Sequence, residues 1–216
     1  MEEPVQSVVD VMQKIFSNEL LAPDLLPFEA DIVEDLRSMI DEQESYLYLD
    51  DNQILADDQK MVIQIYRLEL DRLNYLLASY LRCRITKIEQ FWPFLSIYVN
   101  QNPDTNLLSR AERFFLRDYV NAILTHFNSS FLNHIQLEDL QTFFDIENQQ
   151  THDAFVTPVV SPPDINQFVF ARPTEDIGDW LISDVGSTEK LEKGELYFLN
   201  YSFIRSLVLE KKMDLL

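Results

Sequence analysis

Glycine is nearly missing from this chain. Its three glycines, Gly178, Gly186 and Gly194, all fall near the C-terminus, and the first 177 residues have none. Phosphate-cradling loops need glycine where the backbone must approach the ligand closely. Accordingly the sequence holds no G-x-x-x-x-G-K-[ST], no G-x-G-x-x-G and no G-x-S-x-G. A glycine-turned Ca²⁺ loop is excluded on the same ground. Cysteine is almost absent as well. Cys83 is the only one, which rules out an intrachain disulfide and fits a reducing compartment. Basic residues are few, 17 against 37 acids, for a net charge of −20. Such a chain is poorly suited to gripping a phosphate backbone or an anionic membrane surface. No run approaches the roughly 18 uninterrupted apolar residues of a membrane span. Residues 1–10 lack the basic and apolar regions of a signal peptide.

Catalytic grammar is missing too. His126, His134 and His152 are neither spaced as metal ligands nor close to Cys83 in sequence. The acids lie in runs such as Asp50-Asp51 and Asp57-Asp58, which read as solvated turns rather than paired catalytic carboxylates. Nothing calls for a cofactor or a metal, and the chain reads as a protein that is not an enzyme.

What remains is a folded, helical, apolar-rich chain. Hydrophobic residues make up 46% and aromatics 12% of the 216, enough for a substantial core. The first 60 residues hold sixteen acids against three bases, most of the net charge. Apolar spacing predicts helices over 5–17, 28–49, 58–91, 109–132 and 137–145, with Pro23, Pro27 and Pro93 as breaks. Ser109 and Glu112 form an S-x-x-E capping box. Residues 147–164, with Thr157-Pro158 and Ser161-Pro162-Pro163, read as a linker. Those Thr-Pro and Ser-Pro pairs fit proline-directed kinases, but plain linker composition accounts for them. Beyond the linker the period drops to two. Strands are expected at 168–171, 180–182, 195–199 and 213–216, with a helix over 202–209 and the glycines as turns. The expected fold is mainly α: a helical bundle domain at 1–146, the linker at 147–164 and a small β-rich domain at 165–216.

The long helix is the most informative element. Around Tyr66 at 100° per residue, Leu70, Leu73, Leu77, Tyr80, Ile88 and Phe91 make one stripe, and Arg84 lies within it. Leu81, Ile63, Leu76 and Cys83 widen the stripe to about half the circumference. A buried Arg84 requires a carboxylate or several carbonyls, from the N-terminal helices or from another subunit; the alternative is an arginine snorkelling from the rim of the core. Leu68, Tyr75 and Arg82 mark a second contact surface on the opposite side.

The string Leu76-Leu77-Ala78-Ser79-Tyr80-Leu81-Arg82-Cys83-Arg84, followed by Lys87-Ile88-Glu89, resembles the GINS family of eukaryotic DNA replication, and within it the Sld-five branch. The run Leu21-Ala22-Pro23-Asp24-Leu25-Leu26, the pair Leu108-Ser109 and the ending from Leu191-Glu192-Lys193-Gly194 to Leu216 are similar to the same branch. The resemblance implies a helical A domain followed by a β-rich B domain, an order shared by two of the four paralogues. It implies a non-catalytic nuclear scaffold in a heterotetramer that joins the MCM ring and a RecJ-like Cdc factor in the replicative helicase. It also implies an acidic N-terminal segment that recruits an adaptor to polymerase alpha, although no matching motif stands out in residues 1–16. Subunit contacts are expected at Leu68, Tyr75, Leu77, Tyr80, Leu81, Arg82 and Arg84 of the long helix, and at Tyr119 and Phe127 of the next. Phe168, Phe170, Tyr197 and Phe203 are expected to dock the B domain. The competing class is an acidic chaperone or adaptor for basic nuclear proteins.

Overall fold

The computed structural model describes residues 7–50, 57–130, 162–182 and 186–216. The predicted helix over 137–145 and the two candidate phosphosites, Thr157 and Ser161, lie outside them. Among the described residues five helices come first: α1 Val8–Leu21, α2 Ala30–Asp50, α3 Asp57–Gln90, α4 Trp92–Gln101 and α5 Arg110–Ser130. The C-terminal part carries β1 Phe168–Pro173, β2 Gly178–Leu181, β3 Thr188–Leu191, β4 Tyr197–Asn200, α6 Tyr201–Leu209 and β5 Met213–Leu215. By contact the chain divides into two compact units, Met1–Arg84 together with Ile165–Leu216, and Ile85–Asp164.

Local chemistry explains most boundaries. Ser7 caps α1, its hydroxyl accepting from the Asp10 N–H at 3.2 Å. The predicted capping box closes in both directions at the start of α5. The Ser109 N–H donates to Glu112 Oε2 at 2.7 Å, and the Glu112 N–H to Ser109 Oγ at 3.2 Å. Pro93 acts differently from expectation. It ends α3 but sits in the first turn of α4, a helix the apolar spacing did not predict. Proline is tolerated there because first-turn N–H groups have no intrahelical acceptor.

In the first unit, Met12 of α1, Leu36 and Ile40 of α2, and Leu70, Leu73 and Tyr80 of α3 form one buried cluster. The C-terminal strands make a three-stranded antiparallel sheet in the order β4-β1-β5, with β2 and β3 as a separate hairpin. Strand β3 was not anticipated, because Thr188–Leu191 is charged and buries only Leu191. Gly194, at φ +82°, makes the turn from β3 toward β4, a conformation that favours glycine. Helix α6 closes with the Lys211 N–H on the Val208 carbonyl and the Lys212 N–H on the Leu207 carbonyl. That is a Schellman ending with lysine, at φ 60°, in the place glycine usually takes.

The inner face of the sheet and α6 bury Ala171, Leu191, Leu199, Tyr201, Ile204, Leu207, Met213 and Leu215 in a cluster that also takes in Ala22 and Leu26. The connector between α1 and α2 is therefore part of the core of the β-rich module. In the second unit, α4 and α5 contact each other, with Leu95, Leu116 and Val120 buried.

Candidate subunit interface

Arg84 lies fully enclosed two turns before the C-terminal end of α3. Its guanidinium donates to Glu19 Oε2 of α1 at 2.9 Å and to the Leu26 carbonyl at 2.7 Å. The rings of Phe28 and Tyr80 lie 5.3 and 5.7 Å from its central carbon. The partner acid thus comes from the chain's own first helix, and the snorkelling alternative fails. Helix geometry explains the placement: Arg84 is one turn beyond Tyr80 on the stripe that faces α1.

Three more polar contacts hold the β-rich module against that region. Asp24 accepts from the Tyr201 hydroxyl at 2.7 Å and from Arg205 Nε at 2.6 Å. The Leu215 N–H, on β5, donates to Asn18 Oδ1 at 2.7 Å. An exposed pair between Lys211 and Glu29, at 2.9 Å, lies at the same junction. The indole N–H of Trp180 donates to the Phe203 carbonyl at 2.9 Å and ties the β2–β3 hairpin to α6.

Burial, with the negative Asp24 beside it, pushes the Tyr201 phenol well above the ordinary tyrosine range. The unfolded chain then loses this proton near pH 10 while the folded chain keeps it. The stabilisation is complete below about pH 10 and falls as pH rises above it, by about 1.4 kcal/mol per pH unit. Urea midpoints measured from pH 9 to 11 are expected to fall with a slope that Tyr201→Phe reduces. An equal slope in both proteins would contradict the linkage.

The structure separates the residues expected at subunit contacts. Tyr80 and Arg84 are fully buried by their own chain, so neither side chain has surface left for a neighbour. Leu77 and Leu81 are half-buried against the α1–α2–α3 cluster. The wide belt around Tyr80 is thus largely covered from within, because α1 and α2 both reach it. Leu68 and Tyr75 stand out, each 70% exposed, and Arg82 is exposed on the same helix. Tyr66, taken as the centre of the buried stripe, is exposed. The intrachain cluster reaches α3 only from Leu70 onward, one turn later.

Met61, Val62 and Ile65 are exposed as well, so the first described turns of α3 present apolar side chains on several sides. These three were not singled out from sequence, although Met61, Ile65, Leu68 and Tyr75 keep the 4-3-7 spacing of a helix-packing seam. On α5, Tyr119 and Phe127 are half-buried, with Tyr119 stacked on Phe115 at 5.8 Å. In the β-rich module, Tyr197 is packed against the inner core with its hydroxyl bonded to the Glu192 N–H and the Lys190 carbonyl. Phe203 is half-buried on α6. Phe168 and Phe170 point away from that core and are exposed, so the module's docking inside the chain runs through Asp24, Asn18, Ala22 and Leu26 instead.

Two family models match the chain. Residues 32–131 match the GINS complex protein helical bundle domain. Residues 163–216 match the C-terminus of the DNA replication complex GINS protein SLD5. A DNA replication complex GINS protein SLD5 from Dictyostelium discoideum is 32% identical over 97% of this chain and 92% of its own length. That of Mus musculus is 28% identical over 100% and 93%, and that of Arabidopsis thaliana 26% over 97% and 91%.

Proposed function

This chain belongs to the SLD5 family of GINS proteins, and from that premise we propose that it is a non-catalytic structural subunit of a nuclear GINS heterotetramer. In this reading the tetramer joins the MCM ring and a RecJ-like Cdc factor to form the replicative helicase, and an adaptor links the assembly to polymerase alpha. The domain division into 1–146, a linker at 147–164 and 165–216 belongs to the same proposal.

The observation that carries the scaffold reading is the apolar surface of α3. Met61, Val62, Ile65, Tyr66, Leu68 and Tyr75 are all exposed on one helix of a chain that is otherwise strongly charged. Six large apolar side chains in one region exceed the scattered exposure that soluble proteins tolerate, and such patches mark contact sites. Their spacing suits a partner helix, whose side chains would interleave with the seam at a shallow crossing angle. Sister GINS subunits are the partners this family membership supplies.

Co-expression with the sister subunits tests the reading. The expected result is one assembly that survives size exclusion at high salt, with this chain poorly soluble when expressed alone. A monodisperse monomer that ignores the sisters would sink it, and salt-sensitive capture of basic proteins through the acids of residues 1–60 would favour the chaperone class instead.

A further inference from the structure

One side of α5 carries a charge pattern unlike that of the chain as a whole. Arg110, Phe114 and Arg117 follow at four- and three-residue spacing, so they stand on one face of the helix. All three are exposed among the described residues, Phe114 by 47%. Both guanidinium groups lie over the Phe114 ring, at 5.8 Å from its centroid for Arg110 and 5.1 Å for Arg117. An exposed aromatic ring is thus framed by two cations. Arg113 beside them has another task. It donates to the Pro103 carbonyl at 2.7 Å and to the Thr105 carbonyl, which holds the loop before α5.

The acids of α5 do not cancel this pattern. Glu112 is buried and closes the capping box with Ser109. Asp118 lies 3.1 Å from Arg117, an exposed pair of the kind that is weak in water. Arg110 has no carboxylate partner among the described residues. Helix stability does not explain the arginines either. Cations favour the last turn of a helix and are disfavoured in the first. Here Arg110 and Arg113 occupy the first turn, and the last turn has no base.

Arginine and aromatic side chains are the types that most often anchor protein interfaces. Their spacing sets the geometry of what would fit. Arg110 and Arg117 are seven residues apart, about 10 Å along the helix axis. A helix lying beside α5 repeats the same interval, so two carboxylates seven residues apart would meet both guanidinium groups at once. An apolar residue between them would cover Phe114. Each guanidinium presents a planar fork of donors that matches the two oxygens of a carboxylate. A symmetric pairing of two copies would set arginine against arginine on this face, which repels. A nucleic-acid strand would carry further phosphates past the arginines onto a chain of net charge −20. A short helix with two carboxylates feels chiefly the arginines next to it, because charges beyond about 8 Å are screened at physiological salt.

We propose that the Arg110–Phe114–Arg117 face of α5 docks an acidic amphipathic helix of another protein, one that presents carboxylates seven residues apart with an apolar residue between them. The surface is distinct from the exposed seam of α3, and the proposal does not rest on the reading of that seam.

The test titrates a fluorescein-labelled helical peptide into the full chain purified with its sister subunits, followed by fluorescence anisotropy. The peptide carries two glutamates seven residues apart, with leucine at the third and fourth positions after the first, which serves either direction of docking. Saturable binding is expected, weakened about tenfold or more by Arg110→Glu with Arg117→Glu. That double variant is expected to bind the matching lysine peptide better than the parent does. Phe114→Ala, with both arginines kept, is expected to weaken binding of the acidic peptide as well. Acids in the first turns favour a helix, so the double variant loses the surface without losing the fold. Absence of binding to the parent, or equal affinity in parent and double variant, would overturn the proposal. So would tighter binding of oligo(dT) than of the peptide, or a self-associated assembly that the double variant disperses on size exclusion.

Discussion

Arg84→Leu is expected to destabilise the protein by about 3–5 kcal/mol, the cost of removing one member of a buried ion pair. The cause is less the lost attraction than what remains. The Glu19 carboxylate is as deeply enclosed as Arg84, with side-chain exposures of 1% and 0%, and it would be left charged without the guanidinium. The Leu26 carbonyl would lose a donor in the same change. Thermal unfolding of the co-purified complex, or its urea midpoint, reads the effect. Replacing Glu19 by leucine as well is expected to recover much of the loss, since a buried pair exchanged for apolar groups is often close to neutral. The double-mutant cycle isolates the coupling between the two residues. A single Arg84→Leu variant that melts like the parent would show that the pair carries no stability.

Leu68→Glu combined with Tyr75→Glu is expected to abolish assembly and leave the chain folded. Both side chains are largely in solvent, so their replacement opens no cavity. In an assembled interface the same two positions would become buried carboxylates facing apolar side chains. Loss of two central anchors weakens binding on the order of 100-fold or more. Pull-down of the sister subunits by this chain measures the loss, and circular dichroism of the variant checks that the helices persist. Full recovery of the tetramer with both substitutions would remove α3 from the interface.

The order of elements was largely legible before the structure. Ser109 and Glu112 announce the start of α5 because a capping box needs only residues three apart. Gly194 marks a turn because only nearby backbone is involved, whereas Gly178, also expected at a turn, opens strand β2. Strand β1 and helix α6 followed from periodicity alone. Two elements escaped for physical reasons. Helix α4 carries in its first turn Pro93, which the sequence presents as a stop. Strand β3 has too few apolar residues to display a period.

The interface was legible in kind more than in place. Leu68 and Tyr75 carried a visible signal, because they sit opposite the main stripe. Tyr80 and Tyr66 share that stripe, yet one is enclosed and the other exposed. Nothing in their local spacing separates them. The difference lies in how far along α3 the neighbouring helices reach.

Helix content, cap positions, turn sites and the position of Arg84 on the apolar stripe all follow from residues within a few positions of one another, where covalent geometry and solvation act directly. That Glu19 is the acid, 65 residues away, and that Asp24 meets Tyr201 across 177 residues, was settled by the packing of α1 and its connector between α3 and the sheet. Contacts of that range depend on which surfaces the whole core brings together, and a linear pattern carries no record of that choice.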